Sequence, residues 1–186
     1  MLAGLILLEP NMSTAVIVFF LGTVVYFVSG APLRPLLVSI PIILLLGVVF
    51  IVSSPYRMDR LKVLISGGDD TESSYHSRQA LVALGSGGFW GVGFGQSKQK
   101  YQYLPEVASD SIFAIIGEEF GFIGTVAVII VYSILISKGF KIAKGSDDLL
   151  GKLLASGITS WLGIQFLINI ASMTKLIPLT GVPIPL

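Results

Sequence analysis

The 186-residue sequence has no cysteine and a single histidine, and only 12% of its residues are charged. Each shortage excludes something. Without cysteine there is no disulfide, no thiolate metal site and no thiol nucleophile. His76 alone builds neither a zinc site nor a Ser-His-Asp triad. Twelve Lys and Arg against eleven Asp and Glu leave a net charge of +1, so no overall field points to nucleic acid and no such partner is expected. The opening MLAGLILLEP lacks a basic leader region and a small-residue cleavage site, so it does not read as a signal peptide. Its apolar residues before Glu9 read as the tail of a membrane span, and the sequence is expected to be a fragment at both ends.

Apolar residues fill the space that charge leaves. They make up 53% of the chain, with a mean hydropathy of +0.86. A span needs roughly 20 mainly apolar residues to cross about 30 Å of hydrocarbon. Uncharged runs predict spans over about 13–30, 36–55 and 153–173, and a further run over 120–137 belongs to a span that starts earlier, giving 111–137. The expected fold is an all-α integral membrane protein: a polytopic helical bundle of about four full spans plus the end of a fifth. One long extracytoplasmic loop, 56–110, and a lysine-bearing cytoplasmic loop, 138–152, complete it. Pro32 and Pro35 make the first connection a tight hairpin, Pro41 predicts a tolerated kink, and Pro55 ends the second span. Lys138, Lys141, Lys144, Lys152 and Arg34 fall on one side, which the positive-inside rule assigns to the cytoplasm.

The long loop is where polar residues collect. Within it, residues 79–97 are uncharged yet hold Gly85, Gly87, Gly88, Gly91, Gly93 and Gly95. That density argues against a plain spanning helix. It predicts a short amphipathic helix over 79–84 running into a glycine-rich interfacial or re-entrant loop. No dinucleotide fingerprint is formed, because Trp90 stands where the third glycine belongs.

From Ser97 to Glu119 the chemistry concentrates. Lys98 and Lys100 precede Tyr101 and Tyr103, a turn follows at Pro105-Glu106, and Asp110 stands at the threshold of the third span. A carboxylate where water meets lipid, with cations just upstream, suits work on a charged, lipid-linked molecule. At about 1.5 Å per residue Glu118 lies about 12 Å along the helix from Asp110, and an acid at that depth faces a polar cavity or a partner. Gly117-x-x-x-Gly121 reads as a site of close helix packing. Gln165 and Asn169, one turn apart, read as interhelical hydrogen bonders, and the chain leaves through a proline-rich exit after Leu176.

The run GSGGFWGVGFGQSKQKYQYLPE followed by IFAIIGEEFGFIG closely resembles the SEDS family, in its FtsW and sporulation SpoVE branch rather than RodA. Leu7-Leu8-Glu9-Pro10-Asn11, Pro55-Tyr56-Arg57 and Ile177-Pro-Leu-Thr-Gly-Val-Pro-Ile-Pro match as well, so the resemblance spans essentially the whole chain. There are departures. The family's Gln-Pro-Asp-Leu-Gly-Thr appears as Glu9-Pro10-Asn11-Met12-Ser13-Thr14. Its His-Thr-Asp-Phe-Ile-Phe appears as Ala108-Ser109-Asp110-Ser111-Ile112-Phe113, keeping the acid and losing the histidine.

The resemblance implies a peptidoglycan glycosyltransferase that polymerises lipid II, an undecaprenyl-diphosphate-linked precursor, during cell division or sporulation. It implies a multi-pass protein of the bacterial cytoplasmic membrane, at the division septum, working with a class B penicillin-binding transpeptidase and other divisome proteins. Asp110 corresponds to the family's essential acid and is expected to be catalytic. Arg57, Arg60, Lys98 and Lys100 are expected to bind the diphosphate, with Glu106 and Glu118 as further substrate-binding candidates. The chemistry requires no cofactor. A divalent cation, Mg²⁺ or Mn²⁺, is compatible with acidic loop residues such as Asp69 and Asp70, for which a solvated turn is the simpler account. A lipid II flippase and a scaffold that only recruits the transpeptidase remain the competing readings.

Overall fold

The computed structural model describes residues 12–53, 72–99, 110–178 and 180–185, together with 55, 58 and 64. Five helices form: α1 Met12–Val28, α2 Arg34–Val52, α3 Glu72–Ser86, α4 Ile112–Lys144 and α5 Leu149–Met173. No strand occurs among the described residues. α4 and α5 are each long and apolar enough to cross a membrane, and α1 and α2 are shorter apolar helices. α2 opens with proline in its first turn, where the missing N–H has no intrahelical partner to lose, and carries Pro41 inside. Leu37, Val38, Leu45 and Val48 of α2 are all more than half exposed, as on a helix that faces lipid.

α5 is the hub. It packs against α4 and α1, and α3 packs against α4. Small residues let the axes approach: a Cβ on Gly139 would meet the Thr159 side chain, and one on Gly163 would stand 3.3 Å from Ile136. Tyr132 stacks on Phe166 with ring centroids 3.9 Å apart. These pairs make α4 and α5 antiparallel. Gly157 approaches Val25, while Ser13 bonds Thr180 beyond the far end of α5, so α1 is antiparallel to α5 too. Arg34, Lys138, Lys141, Lys144 and Lys152 therefore share one end of the bundle, and Asp110 belongs to the other half.

Three local expectations change. The helix expected over 79–84 spans Glu72–Ser86, because alanines at 80 and 83 give it a buried face on α4. The lysine loop expected over 138–152 shrinks to residues 145–148. α4 continues to Lys144, with Lys141 and Lys144 on its last turn, where cations complement the negative end of the helix dipole. Asp148 caps α5, its Oδ2 accepting the Gly151 N–H at 2.7 Å, and this bond holds its carboxyl below the usual range.

The third change concerns α4, which is not one rod. Gly121 has φ 66° and ψ −159°, outside the helical region and open to glycine alone at low cost. In a straight helix, residues eight apart lie about 12 Å apart along the axis. Here a Cβ on Gly117 would come within 3.3 Å of Thr125 Cγ2, so the arm 112–120 folds sharply against 122–144. At the break, two carbonyls and two N–H groups bond the glycine-rich loop. Val92 N–H donates to Glu118 O at 2.9 Å and Gly93 N–H to Glu119 O at 3.0 Å. Phe122 N–H donates to Gly88 O at 2.9 Å and Ile123 N–H to Phe89 O at 3.4 Å. Backbone passes so close to backbone that a Cβ on Gly87, Gly91 or Gly121 would collide with main-chain atoms across the seam.

Candidate active site

Asp110 occupies the turn just before α4 and is 7% exposed. From α5, Asn169 donates through Nδ2 to Asp110 O at 2.8 Å and to Val182 O at 2.7 Å. From the C-terminal segment, Gly181 presses so near that a Cβ on it would stand 3.2 Å from Asp110 Oδ2. From the other side, α3 lies along the first arm of α4: Leu84 approaches Gly117, and Gly87 approaches Gly117 and Glu118. Among the described residues no side chain hydrogen-bonds the Asp110 carboxylate. Its direction is set through its backbone and by the packing of Gly181. It also faces the N-terminal end of α4, the positive end of that helix dipole.

The proline-rich tail, expected to be an exit, turns back along the bundle. Leu176 and Ile177 N–H both donate to Ala171 O, closing the turn. Residues 180–185 then run without regular structure, which is tolerable beside membrane helices only if their polar groups are satisfied. Side chains satisfy several of them. Ser13 donates to Thr180 O at 2.9 Å, Gln165 to Pro183 O at 3.0 Å and Tyr132 to Pro185 O at 2.5 Å, while Ser172 Oγ accepts Thr180 N–H at 3.2 Å. Pro183 and Pro185 have no N–H to satisfy. Gln165 and Asn169 thus bond backbone carbonyls of this segment rather than another helix.

The acids on α4 are not equivalent. Glu118 is 2% exposed, and both its oxygens are engaged: Oε2 by Ser97 Oγ at 2.5 Å, Oε1 by Lys98 N–H at 3.1 Å. It lies on the arm before the break, not deep in a straight span. There it anchors the segment carrying Lys98 rather than facing an open groove. Lys98 itself is exposed. Glu119 is 5% exposed and its Oε1 has no partner among the described residues. Arg57, Arg60, Lys100 and Glu106 lie outside the described residues, as do Asp69 and Asp70. No three His, Asp or Glu side chains converge on a metal position among the described residues.

Three neighbours of Asp110 were not singled out in the sequence as such. Ser111 and Gly181 gave no periodic signal, and Asn169 read only as a generic hydrogen bonder. The loss of the family's Phe at 111, a serine here, was the one available pointer.

Comparison with known proteins decides the lineage. All of residues 1–186 match the cell cycle protein family that groups FtsW, RodA and SpoVE. The chain belongs to this family. It is 40% identical to the stage V sporulation protein E of Bacillus subtilis, over 97% of its own length and 50% of that protein's. It is 35% identical to a probable peptidoglycan glycosyltransferase FtsW of Nitrosomonas europaea, over 97% of its length and 48% of that protein's. The chain thus spans about half the length of the curated relatives it matches. The fold agrees with a chain of a peptidoglycan synthase complex that coordinates polymerization and crosslinking (TM-score 0.75, 27% identity, 99% of this chain and 51% of that one). It agrees also with a RodA variant from Thermus thermophilus (TM-score 0.61, 27% identity, 99% and 45%). An all-α integral membrane protein of the FtsW/RodA/SpoVE type is the result.

Proposed function

We propose that the protein polymerises lipid II as a peptidoglycan glycosyltransferase, with Asp110 as its general base. The supporting observation is a buried carboxylate at a fixed turn, free of side-chain hydrogen bonds among the described residues, in a chain of this family. The donor sugar leaves on a diphosphate, which needs no general acid, unlike a glycosidase with its two carboxylates. One base suffices to take the proton from the acceptor 4-hydroxyl as its oxygen attacks the anomeric carbon and the carbon–diphosphate bond breaks. Cations must offset the diphosphate charge, a role assigned to Arg57, Arg60, Lys98 and Lys100. Glu118 contributes by anchoring the Lys98 segment, and Glu106 sits upstream of the base in the same stretch. No cofactor enters these steps. A divalent cation, Mg²⁺ or Mn²⁺, would act only as a counter-ion to the diphosphate.

The lysine end of the bundle is placed in the cytoplasm and the Asp110 half towards the outer face of the cytoplasmic membrane, at the septum. The substrate is lipid II, and the working partner a class B penicillin-binding transpeptidase within the divisome. Both belong to cell division or sporulation.

The test is polymer formation from purified lipid II by the full-length protein. Glycan strands from the protein alone support the enzyme. Strands only when a partner is added favour a scaffold. Lipid II movement across liposomes without strands favours the flippase, which the broken helix α4 would also suit.

A further inference from the structure

Helix α3 carries the only histidine of the sequence to the turn that bears Asp110. His76 is 8% exposed, and its Nε2 lies 2.8 Å from Ser111 Oγ, which has no exposed surface. Ser111 is the N-cap of α4. A serine there ordinarily turns its oxygen onto an N–H of the first helical turn. Ser111 makes no such bond, its hydroxyl engaging the imidazole of another helix instead. The first turn of α4 is therefore fixed from α3 rather than by its own cap.

This matters for the neighbouring residue. Asp110 is joined directly to Ser111, and its carbonyl is held by Asn169 from α5. With no side-chain hydrogen bond to the carboxylate among the described residues, the aim of the acid depends on the packing of Gly181 and on the two anchors flanking its backbone. α5 supplies one through Asn169. α3 supplies the other through His76 and Ser111.

We propose that His76 is a positioning residue for the reaction, acting through Ser111 to fix the direction in which Asp110 presents its carboxylate. The inference rests on the reading of Asp110 as base. It assigns His76 no contact with substrate and no proton to carry.

Steady-state lipid II polymerisation by the complete protein tests it, with Ser111→Ala, His76→Ala, the double variant, His76→Gln and Asp110→Asn in parallel. Misplacing a catalytic group by a fraction of a bond length costs rate rather than affinity. Each single alanine should therefore lower kcat about tenfold and leave KM within about twofold. Because the two act as one unit, the double variant should fall no further than the worse single. Glutamine keeps a donor within reach of Ser111 and should return kcat to within about threefold of the native value.

Native kcat in both single variants beside an inactive Asp110→Asn overturns the positioning role while sparing the base. Losses that multiply in the double variant, or that fall wholly on KM, overturn it as well. An active Asp110→Asn overturns the base reading instead, and this inference with it. If His76→Ala fails to fold, Ser111→Ala decides the matter, since it removes one oxygen and changes no packing volume elsewhere.

Discussion

Residues 87–97 and residues 180–185 both run without regular structure beside membrane helices, and they satisfy their backbones in opposite ways. The first stretch pairs main chain with main chain. Its N–H groups at 92 and 93 and carbonyls at 88 and 89 replace the bonds that α4 loses at Gly121. This demands bare backbone on both sides, which glycine provides. The second stretch pairs main chain with side chains, from Ser13, Tyr132, Gln165, Asn169 and Ser172 on three helices. This demands few N–H groups, which proline provides. The second packs against Asp110 through Gly181, and the first against the far end of the arm that Asp110 precedes. The first seam should fail when an atom is added, and the second when a donor is deleted.

The largest effect is expected from adding atoms to the glycine seam. Gly91→Val and Gly121→Val would each drive a side chain into backbone while forcing a positive φ on a branched residue. A loss of roughly 3 kcal/mol or more follows, enough to abolish folding. Yield and monodispersity in detergent measure it. Normal folding of both variants would show that the seam yields.

Deleting a donor from the proline seam comes next. Asn169→Leu strands two buried carbonyls, at Asp110 and Val182, and should cost about 1–3 kcal/mol. Turnover should fall at least about tenfold, because one of those carbonyls belongs to the proposed base. Melting temperature and polymerisation rate check the two parts separately. Tyr132→Phe keeps the stack on Phe166 and loses only the bond to Pro185 O. A cost near ~0.6 kcal/mol is expected, typical of one hydrogen bond between membrane helices. A Tyr132→Phe effect as large as that of Asn169→Leu would mean the segment acts as a whole rather than bond by bond.

Asp148 lies outside both seams and gives the smallest effect. Its folded pKa is depressed by the Gly151 N–H, so the cap's contribution is present above the usual 3.8 and is lost as pH falls through the lower folded value. Asp148→Ala should remove that acid-side dependence of melting and leave polymerisation near neutral pH untouched.

The helices were legible because uncharged runs of about span length have few other uses. Asp110 stood out as a candidate because an acid at the head of an apolar run is costly. The sharp fold of α4 was missed because a helical wheel assumes a continuous helix, and Gly121 breaks it. Nothing in GEEFGFIG distinguishes a packing glycine from one that takes a positive φ. The decision comes from Gly88–Gly93, some thirty residues earlier in the sequence. The returning tail was missed for a similar reason: prolines signal an interruption but not the side chains waiting to receive their carbonyls. His76 and Ser111 are joined only by the fold.

Asn169, Gly181 and Ser111 converge on one carboxylate, and the role proposed for it is that of a base. Asp110→Asn in the full-length protein tests it most directly, with lipid II binding, melting temperature and glycan-strand formation measured on the same preparation. Native binding and melting with no strands are expected, because the amide keeps the shape and cannot take a proton. Strand formation at the native rate by the asparagine variant would contradict that role.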